Sequence, residues 1–174
     1  MKNCCTFFFA LAICIQFIAC KKDISTAVDF SKITVVDDNC IYLGEVDTTD
    51  WTRDVVWTTQ ETALMNFKDT SVVVTDSLTD FIQVSAACSN PNTGLFIVGI
   101  NTGKQCKMKL VAVDTDMHVL YYATRKFTGG PIVTAYDFRS LTAFHANANY
   151  RLYYAFYNSK DSLYYKGHGD VRIE

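Results

Sequence analysis

The stretch Tyr150-Arg151-Leu152-Tyr153-Tyr154-Ala155-Phe156-Tyr157 decides the fold. Read with the two-residue period of a strand, Tyr150, Leu152, Tyr154 and Phe156 point one way, and Arg151, Tyr153, Ala155 and Tyr157 the other. Aromatic residues suit a pleated, half-buried surface. The link 158–162 then allows a hairpin to Leu163-Tyr164-Tyr165-Lys166.

Outward from this strand the same chemistry recurs. The chain is rich in Val, Ile, Thr, Tyr and Phe, with eight glycines and two prolines in 174 residues. Strands are predicted at Ile33–Val36, Cys40–Leu43, Asp54–Thr58, Thr62–Phe67, Ser71–Thr75, Asp80–Cys88, Leu95–Asn101, Gln105–Val113, His118–Lys126, Ile132–Phe138, Tyr150–Asn158, Leu163–Lys166 and Val171–Ile173. Turn signals separate them, among them Asp37-Asp38-Asn39, Lys68-Asp69, Asn90-Pro91-Asn92-Thr93-Gly94, Asp114-Thr115-Asp116 and Gly129-Gly130-Pro131. Leu95-Phe96-Ile97-Val98-Gly99-Ile100 is apolar on both faces and is expected to be covered on both sides, whereas Lys107, Lys109 and Val111 alternate with Met108, Leu110 and Ala112 as if one face met solvent. The best helical candidate is Asp137 to His145, for a turn or two.

Short strands at this spacing point to an all-β sandwich or barrel. Leu141 on the approach and Tyr150 opening the penultimate strand resemble the tyrosine corner of immunoglobulin-like and fibronectin type III-like sandwiches. The resemblance implies an antiparallel, immunoglobulin-like β-sandwich over residues 33–174 and carries no function.

The front of the chain is of another kind. Met1-Lys2-Asn3 precedes an apolar run from Cys4 to Ala19, the layout of a secretory signal. The run is shorter than the roughly 20 residues of a stable span. Phe17-Ile18-Ala19-Cys20 resembles the lipobox of bacterial lipoproteins, and Cys20-Lys21-Lys22-Asp23 is similar to the mature start of lipoproteins of the Bacteroidota. The resemblance implies removal of residues 1–19, lipidation of Cys20 and a flexible tether over 20–32. It also implies an anchor in the bacterial cell envelope, at the outer membrane, because several acyl chains together bury enough CH₂ groups to hold firmly.

Composition narrows the partners. The net charge is −2 with both signs interspersed, so nucleic acid has no electrostatic support. Besides Cys20, the mature body holds Cys40, Cys88 and Cys106. Cys88 and Cys106 flank the apolar segment from Gly94 to Thr102 and are the expected disulfide, with three buried thiols as the alternative. No metal or cofactor is expected, since these cysteines and the dispersed His118, His145 and His168 lack ligand spacing. Asp47-Thr48-Thr49-Asp50 and Asp114-Thr115-Asp116 carry oxygen ligands suited to calcium, but read first as turns. Gly167-His168-Gly169 reads as a turn or bulge.

Nine of the ten tyrosines follow Leu120. Tyr153, Tyr157 and Tyr164 are expected to share a face with Arg151 and Lys166, as a stacking platform for a glycan or a protein partner. Trp51, in a polar stretch, is the further candidate ligand contact, while Trp57 is expected in the core. Gly-x-Ser-x-Gly, His-Glu-x-x-His and phosphate-loop motifs are missing from the sequence, so a non-enzymatic binding module is expected. The alternative is a structural or assembly component of the envelope that acts by protein contact.

Overall fold

The computed structural model describes residues 27–66, 82–158 and 163–174. Cys20 and the signal, the predicted strand Ser71–Thr75, the turn Lys68-Asp69 and the link 158–162 beyond Asn158 lie outside the described residues. Among the described residues eight strands and one helix follow in order: β1 Thr52–Arg53, α1 Thr59–Met65, β2 Gln83–Val84, β3 Leu95–Asn101, β4 Cys106–Val113, β5 Val119–Phe127, β6 Pro131–Asp137, β7 Ala148–Tyr157 and β8 Leu163–Ile173.

They form two antiparallel sheets. One runs β1-β8-β7-β4-β5 and the other β2-β3-β6, with hairpins β4–β5 and β7–β8 inside the larger sheet and the chain crossing between sheets after β1, β3, β5 and β6. This is the all-β, immunoglobulin-like sandwich expected from the sequence. Met108, Leu110, Tyr150, Leu152, Tyr154 and Phe156 from the large sheet meet Phe96, Val98, Ile100 and Tyr136 from the small one. The face of β7 assigned by its two-residue period is therefore the face that enters the core.

Tyr150 closes the turn before β7. Its hydroxyl accepts from the His145 amide at 2.6 Å and lies 3.3 Å from the His145 carbonyl, to which it donates. Phe144 packs on its ring at 4.8 Å. The segment after Asp137, as far as His145, is thus a run of turns held by this tyrosine, not a helix.

Several expectations are corrected. The helix stands where a strand over Thr62–Phe67 was predicted: Thr58 and Glu61 form a reciprocal capping box, each side chain bonding the other's backbone N–H. Ile33–Val36 and Cys40–Leu43 are not strands but an irregular arm with bridges at Val36 and Tyr42, and Asp54–Thr58 leads into α1. Packing begins at Val28, inside the expected tether, where its amide donates to the Thr115 carbonyl at 2.8 Å. Gly167-His168-Gly169 is neither turn nor bulge, since β8 runs straight through it. The glycines are needed because the Thr52 backbone lies against Gly167 and the Trp51 indole lies on Gly169. β3 is buried on one face only; Leu95 and Ile97 on the other are 41% and 37% exposed.

Candidate functional site

The candidate surfaces are the outer face of each sheet and the end of the sandwich bearing the β4–β5 and β6–β7 connections.

The outer face of the large sheet carries the residues expected to form a platform; over β4 and β7 it is covered, while Tyr122 at its β5 edge stays 71% exposed. A second apolar cluster joins Val111, Val113, Tyr153 and Ala155 of the sheet to Val28, Trp57 and Met65 of the arm and helix. Tyr153 is 1% exposed, with Trp57 edge-on to it at 5.6 Å. Tyr157 is buried and Tyr164 half-buried against the core between the sheets. Trp51 is also buried, on the opposite side of β8, stacked on Tyr154 at 6.3 Å. These positions are therefore packing residues and not an open stacking surface. Aromatic rings on alternate sides of a strand are legible in sequence, but the element that comes to lie over them is not. Trp57 is in the core, as expected.

Polar groups fasten the arm. Arg151 and Asp170 pair side by side across β7 and β8, Nε to Oδ1 at 2.7 Å and Nη2 to Oδ2 at 2.8 Å, and Nη2 also donates to the Asp29 carbonyl at 3.0 Å. Asp50 accepts the Asp170 amide at 2.9 Å and the Thr34 amide at 3.2 Å. Burial and the neighbouring Asp170 charge push its carboxyl up to about 7. Asp54 accepts from the Trp57 indole at 2.6 Å and lies 2.8 Å from His168 Nδ1. Burial opposes charge on His168, but the hydrogen bond and charge of Asp54 outweigh it and hold the imidazole above its usual range. Tyr153 donates to Glu61 at 2.9 Å, and burial and that carboxylate lift its phenol. Arg151, the remaining candidate ligand contact, is committed to this clasp.

The arm is also tied covalently. The disulfide joins Cys40 to Cys88, and Cys106 is a buried free thiol, so the expected Cys88–Cys106 pair is corrected. Cys88 sits on the bridge to Ile97 at the small sheet, whereas Cys106 points from β4 into the core. Sequence proximity favoured the wrong partner because the chain crosses to the other sheet between β3 and β4.

The outer face of the small sheet is open. Leu95, Ile97 and Val133 face solvent across β3 and β6, Val133 at 67% exposure, with Tyr42 and the exposed Cys40 beside them. A shallow groove of about 180 Å³ runs between Tyr42, Ile97, Gly99 and Val133.

The loop end holds a more polar cleft of about 630 Å³, with Asp114, Thr115, His145, Asn147 and Asn149 around Leu120. Asp114 itself accepts the amides of Asp116 and His118, both at 2.9 Å, and pairs with the His118 ring. Against partial burial, these bonds hold its carboxyl below the usual range. Asp47 likewise accepts the Thr49 amide at 2.9 Å and the Thr49 hydroxyl at 2.7 Å. Both acidic segments are thus turns held by their own carboxylates. Among the described residues no three His, Cys, Asp or Glu converge as metal ligands, and no helix is long and apolar enough to cross a membrane.

No family model matches the chain, and no curated protein matches it. Among solved structures, a β-glucuronidase from glycoside hydrolase family 2 is similar to 53% of this chain at 12% identity and a TM-score of 0.33. The matched part spans 11% of that enzyme's chain.

Proposed function

We propose that this chain is a lipid-anchored, non-enzymatic module of the bacterial cell envelope, acting by contact with a protein partner across the outer face of its small sheet. The carrying observation is the apolar stripe of Leu95, Ile97 and Val133, left in solvent while the arm and α1 cover β4 and β7 on the opposite outer face. Exposed apolar side chains grouped on one sheet face in this way suit a protein contact. The Cys40–Cys88 disulfide favours an oxidising compartment, which supports export and the lipobox reading of Cys20. Lipid on Cys20 would keep the partner near the outer membrane.

A photoreactive side chain in place of Ile97, in the full chain in living cells, tests the reading. It is expected to give one defined envelope-protein adduct that Val133→Asp abolishes. An adduct indifferent to Val133→Asp, or none, overturns it. Cys20→Ser should remove palmitate label from the chain; retained label overturns the anchor.

A glycan is the second reading, favoured by the loop-end cleft. Its amide and imidazole side chains from Asn147, Asn149 and His145 beside Leu120 would suit the hydroxyls and apolar face of a sugar. A glycan-array signal lost in Asn149→Ala and kept in Val133→Asp would select it.

A further inference from the structure

We propose that β6 pairs with β6 of a second copy of this chain, antiparallel and centred on Thr134, so that the two small sheets become one six-stranded sheet. Among the described residues, β5 and β6 are the long strands that end the two sheets. They are built differently. β5 carries Arg125 and Lys126, and its ladder with β4 shifts register between Ala112 and Val113. Charge and irregularity are the devices by which an edge avoids pairing.

β6 is more open: its ladder with β3 is unbroken, and its proline and its one charge stand at its two ends. Pro131-Ile132-Val133-Thr134-Ala135-Tyr136 carries no charge, its proline stands at the first position, and all seven residues pair with β3 without a break. A regular edge that is uncharged over its central residues can accept another strand.

The occupant follows from where the side chains and the charge fall. Centred on Thr134, an antiparallel pair sets Val133 opposite the second copy's Ala135, Ile132 opposite Tyr136, and Pro131 opposite Asp137. Val133 and Ile132, 67% and 36% exposed, gain apolar neighbours across the new ladder. The strand's one charge, Asp137, is at its end and already paired with Arg139 at 2.6 Å. The two-fold therefore holds the two Asp137 carboxylates a strand length apart, with Arg125 of each copy lying over its own Tyr136 ring at 5.4 Å, and the contact closes on itself as an isologous dimer. This contact is made at the edge of the sheet and is separate from the face contact proposed above.

Sedimentation velocity of the full chain in density-matched detergent tests it. The native chain should sediment as a dimer. The double substitution V133K/A135K, which sets lysine against lysine across the two-fold, should weaken the dimer at least about tenfold. V133K/A135E, which sets opposite charges against each other in the same register, should restore it. A native chain that is monomeric at tens of micromolar, a dimer indifferent to V133K/A135K, or a failure of V133K/A135E to restore association would overturn the pairing. A face adduct formed by a chain that is monomeric would leave the partner reading standing and remove this one.

Discussion

Arg151 and Asp170 stand directly opposite each other on β7 and β8 and share two hydrogen bonds of 2.7 and 2.8 Å beneath the arm, with the Asp170 side chain fully buried. Burial pushes the Asp170 carboxyl up against the pull of the guanidinium, so its charge depends on Arg151.

Removing one partner should therefore cost far more than the pair is worth. Arg151→Met leaves Asp170 buried without its counter-charge and frees the Asp29 carbonyl, and is expected to lower stability by about 3–5 kcal/mol. Urea unfolding measures this. A joint Arg151→Met and Asp170→Leu change should recover part of the loss.

The arm clasp should make the fold more stable in mild acid than in base. Asp50 is raised from 3.8 to about 7, so the folded chain keeps a proton that the unfolded chain releases, and its contribution is lost as pH rises from about 4 to 7. His168 is raised above 6.5, so the stability it adds is complete below that pH and is lost as pH climbs through its higher folded value. Unfolding midpoints should fall across this range, and Asp50→Asn should flatten the part between 4 and 7.

Loss of the Cys40–Cys88 bond reopens a loop of 48 residues' separation. Cys40→Ser with Cys88→Ser should cost about 4 kcal/mol on the loop-entropy account. Cys106→Ser should leave the non-reducing peptide map unchanged, with one bridge between Cys40 and Cys88.

A methyl group at Gly169 would stand inside the contact distance of the Trp51 indole. Gly169→Ala should destabilise by about 1–3 kcal/mol through overpacking. Because it forces the arm at Trp51, the tryptophan emission should shift red with it, while a substitution at exposed Gly44, which meets no neighbour, should leave the emission in place.

Tyr150→Phe removes the hydroxyl that accepts the His145 amide, at an expected cost of about 1 kcal/mol. Amide exchange should speed up at His145 first.

The legible elements were those whose signal is local. Leu95–Asn101 was readable to the residue, and β4 to β7 to within two, because period-two alternation and glycine-rich or Asx turns act over a few positions. The Thr58-x-x-Glu61 capping box was equally local and would have placed α1, but β-branched neighbours drew the reading toward a strand. The arm was not legible: its order comes from bonds such as Thr34 to Asp50, Asn90 to Thr34 and Asp54 to His168, whose partners lie 16, 56 and 114 positions apart.

The sequence by itself determined the two faces of β7, with Tyr150 near its start, and that short alternating strands close into a sandwich or barrel. Which face would be left in water was decided by tertiary structure alone. Alternation states that two sides of a strand differ or agree, and it is silent about what arrives from elsewhere in the chain to cover them. Here the arm and α1 cover Tyr153 and Arg151, while Ile97 and Val133, equally apolar in sequence, stay exposed.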